Sequence, residues 1–442
     1  MPRARRVLLP CTALSSMLFV AAPAATAADD WSRFRGANGS GVSRSTGLPI
    51  EFGPGKSMLW EASIPFGRSS PVIAGDRIFV TAVEDGKLLT LALDRASGTV
   101  LWRRALARDH VADLYKSTDS ATPTPVVDDK SVYVFFHEAG LVAYDHGGQE
   151  RWRLALGPFR NFYGIAASPV LSGNTLFLVC DQAHGSFLLA VDSTNGKELW
   201  RRNRPARLES YSTPIMLPGD SGPGAIVVSG SRWVDAYDPA TGVNLWVLGG
   251  VGSGPIASPV LAGTTLFINA PDHAEEGWSP WSEISKEHDG NKDGVLSKQE
   301  VEGSWLVRHF GWVDVDVDGA ISADDWTKLT SEVVNDGWGV LAIRVPSAGG
   351  DAEILWNYRH NETSKVYASP VAADGKIYIG DMDGRMIVLE SGPEWRVLAS
   401  NDLGEEIWAS PAIVEGHLYV RTKTRMYDFA VTGKKPGKAT TG

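Results

Sequence analysis

The chain has 442 residues, of which 43% are hydrophobic and 21% charged, so it is long enough to bury a sizeable core. Only two cysteines are present, which excludes a disulfide-stapled scaffold and a thiolate zinc cluster. The net charge of −10 argues against a nucleic-acid-binding protein.

The first residues of the chain predict a secretory signal. Residues 3–6 hold three arginines, residues 7–22 are apolar or small and uncharged, and residues 25–27 supply a small-x-small cleavage pattern. We expect cleavage after Ala27 and a periplasmic or secreted protein. No later segment approaches 18 consecutive apolar residues, so no membrane span is predicted.

A Ser-Pro or Thr-Pro step followed by an apolar run recurs along the chain. The steps begin at Ser70, Thr124, Ser168, Thr213, Ser258, Ser369 and Ser410. Their spacing lies between 41 and 54 residues, with one exception of 111. Each unit of roughly 45 residues holds four short strands separated by glycine turns, which predicts the blades of a β-propeller rather than a helical solenoid.

Four units end in the pattern A-x-D-x-x-x-G-x-x-x-W, and two later, degenerate units keep only Trp356 and Trp395. It is complete at 92–102, 190–200 and 236–246, and lacks one residue at 143–152. The aspartate can start a turn by bonding to its own backbone, and the glycine supplies a positive φ. We expect the alanine to leave room for the neighbouring blade and the tryptophan to fill the gap between blades.

Tryptophans mark the predicted outer strands and give the number of blades. They lie at Trp60, Trp102, Trp152, Trp200, Trp246, Trp356 and Trp395. The first precedes the first Ser-Pro step, and the last unit has no tryptophan strand of its own. We therefore predict that the N-terminal strand completes the last blade, which removes an exposed sheet edge. Seven blades follow, or eight if residues 31–58 contain a further unit.

The repeat resembles the pyrroloquinoline-quinone-type propeller repeat, which quinoprotein dehydrogenases share with the outer-membrane assembly-factor propeller. The opening residues 31–41, WSRFRGANGSG, are similar to those of a bacterial exported subgroup of these propellers. The resemblance covers nearly all of 31–430 and implies the fold, but a fold does not fix an activity. Within the opening, Arg33 and Arg35 either contribute to a site or form salt bridges that anchor the N-terminal closure, and we predict the salt bridges.

An acidic insertion interrupts the fifth unit at 272–337. The runs 265–270 and 340–345 match the second and third strands of that blade, so the insertion replaces one turn. It holds 16 acidic and 5 basic residues, a net charge of −11. Signal cleavage removes three arginines and no acid, which leaves −13 for the mature chain. The acidity is therefore local.

Residues 289–300, DGNKDGVLSKQE, match a twelve-residue EF-hand loop, in which oxygen ligands surround Ca²⁺. The predicted ligands are Asp289, Asn291, Asp293, the carbonyl of Val295, Ser297 and Glu300. Gly294 takes the sharp-turn position, and Leu296 is expected to pair with a second loop. A bidentate glutamate at the end favours Ca²⁺ over Mg²⁺. The alternative is an acidic glycine turn without metal.

Residues 314–325, DVDVDGAISADD, fit the same loop. The predicted ligands are Asp314, Asp316, Asp318, the carbonyl of Ala320, Ser322 and Asp325. Because the last ligand is aspartate, which reaches less easily for bidentate binding, we expect a weaker and more Mg²⁺-tolerant site. The loops start 25 residues apart, so their helices must be short. Pro280 is predicted in the first turn of the entering helix, with Ser279 as its cap.

The predicted class is thus an all-β propeller of four-stranded blades with a small α-helical EF-hand insertion. The segments are the signal peptide 1–27, the first part of the propeller 28–271, the EF-hand pair 272–337, the second part of the propeller 338–433 and a disordered tail 434–442. The insertion lies on the same face as the connections between blades. There it could cap the central funnel, and its calcium could be structural, regulatory or part of partner docking.

Two functions remain open. The first is a non-catalytic binding or scaffold protein with a protein, peptide or glycan partner on the funnel face. The second is a pyrroloquinoline-quinone-dependent oxidoreductase, with an aromatic ring and a carboxylate base converging in the funnel. The resemblance implies that such enzymes place an adjacent-cysteine disulfide against the quinone. The mature chain keeps only Cys180, in an apolar run that predicts burial. We therefore favour the first, as a monomer that binds two Ca²⁺ and no quinone, and assign no catalytic residue.

Overall fold

The computed structural model describes residues 31–108, 110–112, 114, 118–205, 207–219, 222–252, 254–270, 279–304, 306–314, 316, 318–331, 339–346, 351–358, 368–391 and 396–431. The predicted signal peptide, the predicted tail and Trp395 lie outside these residues. In the part of the chain that the structure describes, no helix combines the length and the apolar character needed to cross a membrane.

Seven antiparallel four-stranded sheets form the propeller, and the first strands of neighbouring blades contact each other, so they lie innermost. Blade 1 comprises β2 (Val72–Ala74), β3 (Arg77–Glu84), β4 (Lys87–Asp94) and β5 (Val100–Leu106). Blade 2 comprises β6 (Val126–Val127), β7 (Ser131–Phe136), β8 (Gly140–Asp145) and β9 (Glu150–Leu154). Blade 3 comprises β10 (Val170–Ser172), β11 (Thr175–Cys180), β12 (Phe187–Asp192) and β13 (Glu198–Asn203). Blade 4 comprises β14 (Ile215–Gly219), β15 (Gly222–Gly230), β16 (Trp233–Tyr237) and β17 (Asn244–Gly249).

The remaining blades include the insertion and the closure of the ring. Blade 5 comprises β18 (Val260–Ala262), β19 (Thr265–Ala270), β22 (Gly339–Arg344) and β23 (Glu353–Tyr358). Blade 6 comprises β24 (Val371–Ala373), β25 (Lys376–Gly380), β26 (Arg385–Glu390) and β27 (Val397–Asp402). Blade 7 comprises β28 (Ala412–Val414), β29 (His417–Arg421), β30 (Arg425–Ala430) and β1 (Met58–Ser63).

The ring closes as predicted, because the N-terminal strand β1 is the outer strand of blade 7 and pairs with β30. The number of blades is seven rather than eight. Residues 31–57 hold only a short 3-10 turn at Ala37–Gly39 and isolated bridges, not a further sheet. The core lies between adjacent sheets, where Cys180 is fully buried, as its apolar run predicts.

Four outer-strand tryptophans fill the gaps between blades, as predicted, whereas Trp356 in blade 5 is 49% exposed. In blade 2, Trp152 donates its Nε1 proton to the carbonyl of Ser193 in blade 3 at 2.8 Å. Its ring also lies against Gly196, where an added Cβ would come within 2.6 Å of a ring carbon. The same packing joins Trp60 to Gly98, Trp102 to Gly148 and Trp200 to Gly242. Glycine is therefore needed here for space as well as for its positive φ of 76° at position 196.

The recurring Ser/Thr-Pro steps form a ring of hydrogen bonds around the centre, a role that the sequence did not reveal. At six of the seven junctions between blades, the amide of one step donates to the hydroxyl oxygen of the step in the next blade. Six such bonds, of 2.8–3.0 Å, join Ser70 to Thr124, Thr124 to Ser168, Ser168 to Thr213, Thr213 to Ser258, Ser369 to Ser410 and Ser410 to Ser70. The proline that follows starts the inner strand, where no donor is needed.

Residues 31–52 cover one end of the ring. We call this end, which carries the turns between strands one and two, the closure face, and the opposite end, which carries the connections between blades, the connection face. Backbone and side-chain bonds tie the segment to four blades: Ile73 to Trp31, Val127 to Ser32, Met216 to Asn38, and Ala372 to Gly41. The N-terminal segment is therefore part of the closed ring.

The prediction of salt bridges for Arg33 and Arg35 is wrong, because neither forms one with a described residue. Arg33 donates from Nη2 to the carbonyl of Pro214 at 3.0 Å, and Arg35 donates from Nη1 to the carbonyl of Ser258 at 3.5 Å. Both residues are only 6% exposed, and burial lowers the pKa of each to about 10. The reason lies in the topology, since the two side chains reach the residues that precede the inner strands of blades 4 and 5, and these offer carbonyl oxygens rather than carboxylates.

Candidate metal centre

The insertion has a small hydrophobic core of its own. Three helices form it: α1 (Trp281–His288), α2 (Leu306–Val313) and α3 (Ala323–Ser331). They bury apolar side chains among themselves, including Ile284, Leu296, Val301, Phe310, Ile321 and Trp326. Because β19 pairs with β22, the insertion enters and leaves blade 5 between its second and third strands, on the connection face. Its linkers to the blade, 271–278 and 332–338, lie outside the described residues.

The start of α1 differs from the prediction by one position. Pro280 is the residue before the helix, with a ψ of 150°, and no side chain caps the first turn. Ser279 is therefore not the cap. Its carbonyl instead accepts a bond from Nε1 of Trp326 at 3.1 Å, which joins the two ends of the insertion.

The first predicted loop folds around its own carboxylates. Asp289 accepts the amide of Gly294 at 3.0 Å, and Asn291 accepts that of Asp293 at 2.8 Å. At the end of the loop, Glu300 accepts both the amide and the hydroxyl of Ser297. These bonds lower the pKa of the Glu300 carboxyl, with the amide of Ser297 as the largest cause. The carboxylate is thus ionised at neutral pH.

The second loop repeats this pattern residue by residue. Asp314 accepts the amide of Gly319 at 3.1 Å, and Asp325 accepts the amide and hydroxyl of Ser322 at 2.8 and 2.6 Å. Carboxylate oxygens of Asp314, Asp316 and Asp325 lie within 4.8 Å of one another. Three converging carboxylates with Asp314 and Asp325 largely buried are a donor set suited to a hard divalent cation.

A two-stranded ladder joins the loops. In it, β20 (Leu296–Ser297) pairs antiparallel with β21 (Ala320–Ile321), and Leu296 lies opposite Ile321. The two residues stand at the eighth position of their loops, and both are fully buried in the core of the insertion. The two loops are therefore held together by backbone pairing and by a shared core.

On the connection face, an ionic cluster lies between blades 3 and 4, with the side chains of Asp181, Arg204 and Asp235 fully buried and that of Arg207 15% exposed. Arg204 contacts both carboxylate oxygens of Asp181 at 2.7 and 3.0 Å, and it lies 3.2 Å from Asp235. Arg207 binds the other side of Asp235 through two bonds. The sequence did not identify this cluster, because Asp181 and Arg204 are 23 residues apart and follow no motif. Two cations and two anions compensate each other there, so the cluster is structural.

His137 on the same face makes stability depend on pH. It is 2% exposed, and its Nδ1 accepts the amide of Ile165 at 3.0 Å. Burial lowers the pKa of His137 from 6.5 to about 4, although the charge of Glu138 opposes the shift.

Stability should therefore fall as the pH drops from 6.5 towards 4, because only the unfolded chain takes up the proton in that range. His137→Gln keeps an acceptor for Ile165 but does not titrate. Relative to this variant, the wild type should lose about 3 kcal/mol of unfolding free energy between pH 7 and 4 in urea titrations. Parallel pH profiles for both proteins would show that His137 is not responsible.

Known proteins share the repeat and the fold. Residues 53–221 and 88–264 match the family model described as outer membrane protein assembly factor BamB. The chain is 24% identical over 225 residues to the outer membrane protein assembly factor BamB of Burkholderia pseudomallei (strain K96243), which covers 49% of this chain and 54% of that protein. The chain thus matches about half the length of this curated relative.

Two solved structures show the same architecture. BamB from Moraxella catarrhalis superposes with a TM-score of 0.50 at 12% identity, covering 85% of this chain and 99% of that one. A europium-containing methanol dehydrogenase superposes with a TM-score of 0.54 at 12% identity, covering 91% and 98%. At these identities the likeness concerns the fold alone. The chain is a seven-bladed β-propeller that is similar over residues 53–264 to the assembly factor BamB.

Proposed function

We propose that this chain is an exported, calcium-binding propeller that acts as a non-catalytic binding or scaffold protein. The observation that carries the proposal is the asymmetry of the ring. Residues 31–52 cover the closure face, whereas the connection face carries the long inter-blade loops and the acidic insertion. A partner therefore has one face to bind, and the match to BamB, an assembly factor by name, agrees with a binding role.

The partner we propose is a protein, peptide or glycan on the connection face, and the compartment is the periplasm or the medium. Val111, in the connection between blades 1 and 2, is 75% exposed and offers an apolar contact there. A photo-crosslinking residue at position 111 should yield adducts in intact cells. The same residue at Asp76, in a turn on the closure face, should yield none. Equal adducts at both positions would contradict a partner on the connection face.

A quinone-dependent oxidoreductase is the function to test against. The purified chain should be titrated with pyrroloquinoline quinone at saturating Ca²⁺, following tryptophan fluorescence and dye reduction with alcohols and sugars. We expect neither tight quenching nor dye reduction. Tight, calcium-dependent quenching together with turnover would replace the scaffold proposal with a compact quinoprotein.

For calcium, we propose one ion in each loop of the insertion. In the first loop the ligands are the oxygens of Asp289, Asn291, Asp293, Val295, Ser297 and Glu300. In the second they are those of Asp314, Asp316, Asp318, Ala320, Ser322 and Asp325. The donors are all oxygen, which suits Ca²⁺, and the ion would neutralise carboxylates that now face one another. The second site should be weaker because Asp325 is one methylene shorter than the Glu300 it parallels.

Glu300→Gln should weaken Ca²⁺ binding at the first loop by roughly tenfold or more, because it removes the charge of the bidentate ligand. Isothermal titration calorimetry of the full mature chain measures this directly. Glu302→Gln is the matched control, since Glu302 is a nearby exposed glutamate outside the ligand set. Equal affinities of the two variants would contradict a role for Glu300 as a ligand.

A further inference from the structure

Arg33 and Arg35 hold two positive charges inside the ring without a carboxylate partner. Each residue is 6% exposed, and neither forms an ion pair with a described residue. Two other deeply buried arginines have more hydrogen-bond acceptors around them. Arg204 binds Asp181, and Arg421 donates to three oxygens of Ser69 and Thr81 at 2.6–3.0 Å. The N-terminal pair is thus unusual within this molecule.

The hydrogen bonds of the pair leave most donors without an acceptor. A guanidinium carries five N–H donors. Arg33 uses one of them, towards Pro214 at 3.0 Å, and Arg35 makes two bonds that are both at 3.5 Å. The Nε atom of each is buried and has no partner among the described residues. Leaving a buried cation so poorly compensated is unfavourable, and an anion would offset that cost.

The two side chains reach neighbouring points of the central ring. Arg33 contacts Pro214 at the start of the inner strand of blade 4, and Arg35 contacts Ser258 at the start of that of blade 5. These points are directly joined, because the amide of Thr213 donates to the hydroxyl of Ser258 at 3.0 Å. Both guanidinium groups therefore approach the same part of the ring from the closure face.

Two glycines allow the backbone of the N-terminal segment to pack closely against the guanidinium groups of Arg33 and Arg35. An added Cβ at Gly41 would lie 2.7 Å from Nη2 of Arg35, and one at Gly39 would lie 3.5 Å from Nη2 of Arg33. Both glycines have positive φ, 67° and 65°. The backbone of the segment is therefore packed closely against the guanidinium groups.

We propose that Arg33 and Arg35 together bind a small inorganic anion, a halide or a tetrahedral oxyanion, in the central channel. The anion accepts bonds from both guanidinium groups and joins the N-terminal segment to blades 4 and 5. It thereby stabilises the closure of the ring. This site is separate from the proposed calcium loops, and it does not depend on the proposed function.

The test uses the full mature chain and bromide as the probe. Crystals soaked in bromide should show an anomalous peak in contact with both Arg33 and Arg35. In solution, raising chloride or sulfate from about 1 to about 100 mM, with gluconate holding the ionic strength constant, should raise Tm by about 2 °C or more. Chloride and sulfate in separate titrations distinguish a halide from an oxyanion.

Arg35→Met should abolish the anion-dependent rise in Tm, because one of the two cationic donors is lost. Arg103→Met is the matched control, since Arg103 is an exposed arginine on the outer strand β5 and forms an ion pair with Glu84. It should keep the full rise. If Arg35→Met does not fold, the bromide peak and the anion titration of the wild-type chain still test whether the site binds an anion. A peak without any anion dependence of Tm, an adventitious ion only, would overturn the proposal, as would an equal rise in both variants.

Discussion

Asp181→Asn is expected to lower the free energy of unfolding by about 3–5 kcal/mol, because it leaves a buried arginine without its main counter-charge. The side chains of Asp181 and Arg204 are fully buried and joined by two bonds. Asp181 also accepts the hydroxyl of Ser210 at 2.7 Å. Asparagine has nearly the same shape, so the loss measures charge rather than packing. Urea unfolding of the full chain is the measurement.

An exposed ion pair on the same blade is the control. Glu198 and Arg201 lie 2.8 Å apart, with side chains more than a third exposed. Glu198→Gln should cost about 0.5 kcal/mol or less, because water screens such pairs. The double variant Asp181→Leu with Arg204→Met should recover part of the loss, since no unpaired charge remains. A loss for Asp181→Asn no larger than that for Glu198→Gln would contradict this account.

Gly196→Val is expected to destabilise the propeller by about 4 kcal/mol, through backbone strain and a clash with the preceding blade. Gly196 has a φ of 76°, which a β-branched residue rarely adopts. Its Cβ would also lie 2.6 Å from the ring of Trp152, which cannot retreat without losing its bond to Ser193.

Gly173→Val separates these two causes. Gly173 lies in another turn of the same blade with a φ of 56°, but a Cβ there meets nothing within 4 Å. Its variant should cost only the backbone strain, about 1–2 kcal/mol. The difference between the two unfolding free energies measures the contact between blades. Equal losses of unfolding free energy in the two variants would show that Trp152 moves aside without cost. Gly196 would then be needed only for its positive φ.

Local patterns were enough to predict most of the fold. The Ser/Thr-Pro steps and the outer-strand tryptophans gave seven blades, and the absence of a tryptophan strand after Ser410 gave the closure by β1. Such features depend on only a few neighbouring residues, through turn chemistry and strand alternation. The same residue pattern recurs from repeat to repeat, which makes it easy to recognise. The oxygen ligands of the two loops were also named from their spacing alone, and calcium binding there stays a prediction.

Contacts between repeats were not predictable in this way. The ring of Ser/Thr hydrogen bonds, the position of each tryptophan on the glycine of the next blade, and the pairing of Asp181 with Arg204 all join residues from separate units or strands. The salt bridges expected of Arg33 and Arg35 failed for the same reason. The sequence shows that two cations follow Trp31, but not what surrounds them 181 and 223 residues later in the chain.

The sequence by itself determined the repeat and the position of the insertion, favoured seven blades over eight, and predicted which loop residues would bind metal. The tertiary structure alone decided which face is covered, and which buried charges are compensated by described residues and which are not. The physical reason is that strand and turn preferences act over a few residues. A buried polar group meets its hydrogen-bond or ionic partner only when the ring closes and brings distant segments of the chain together.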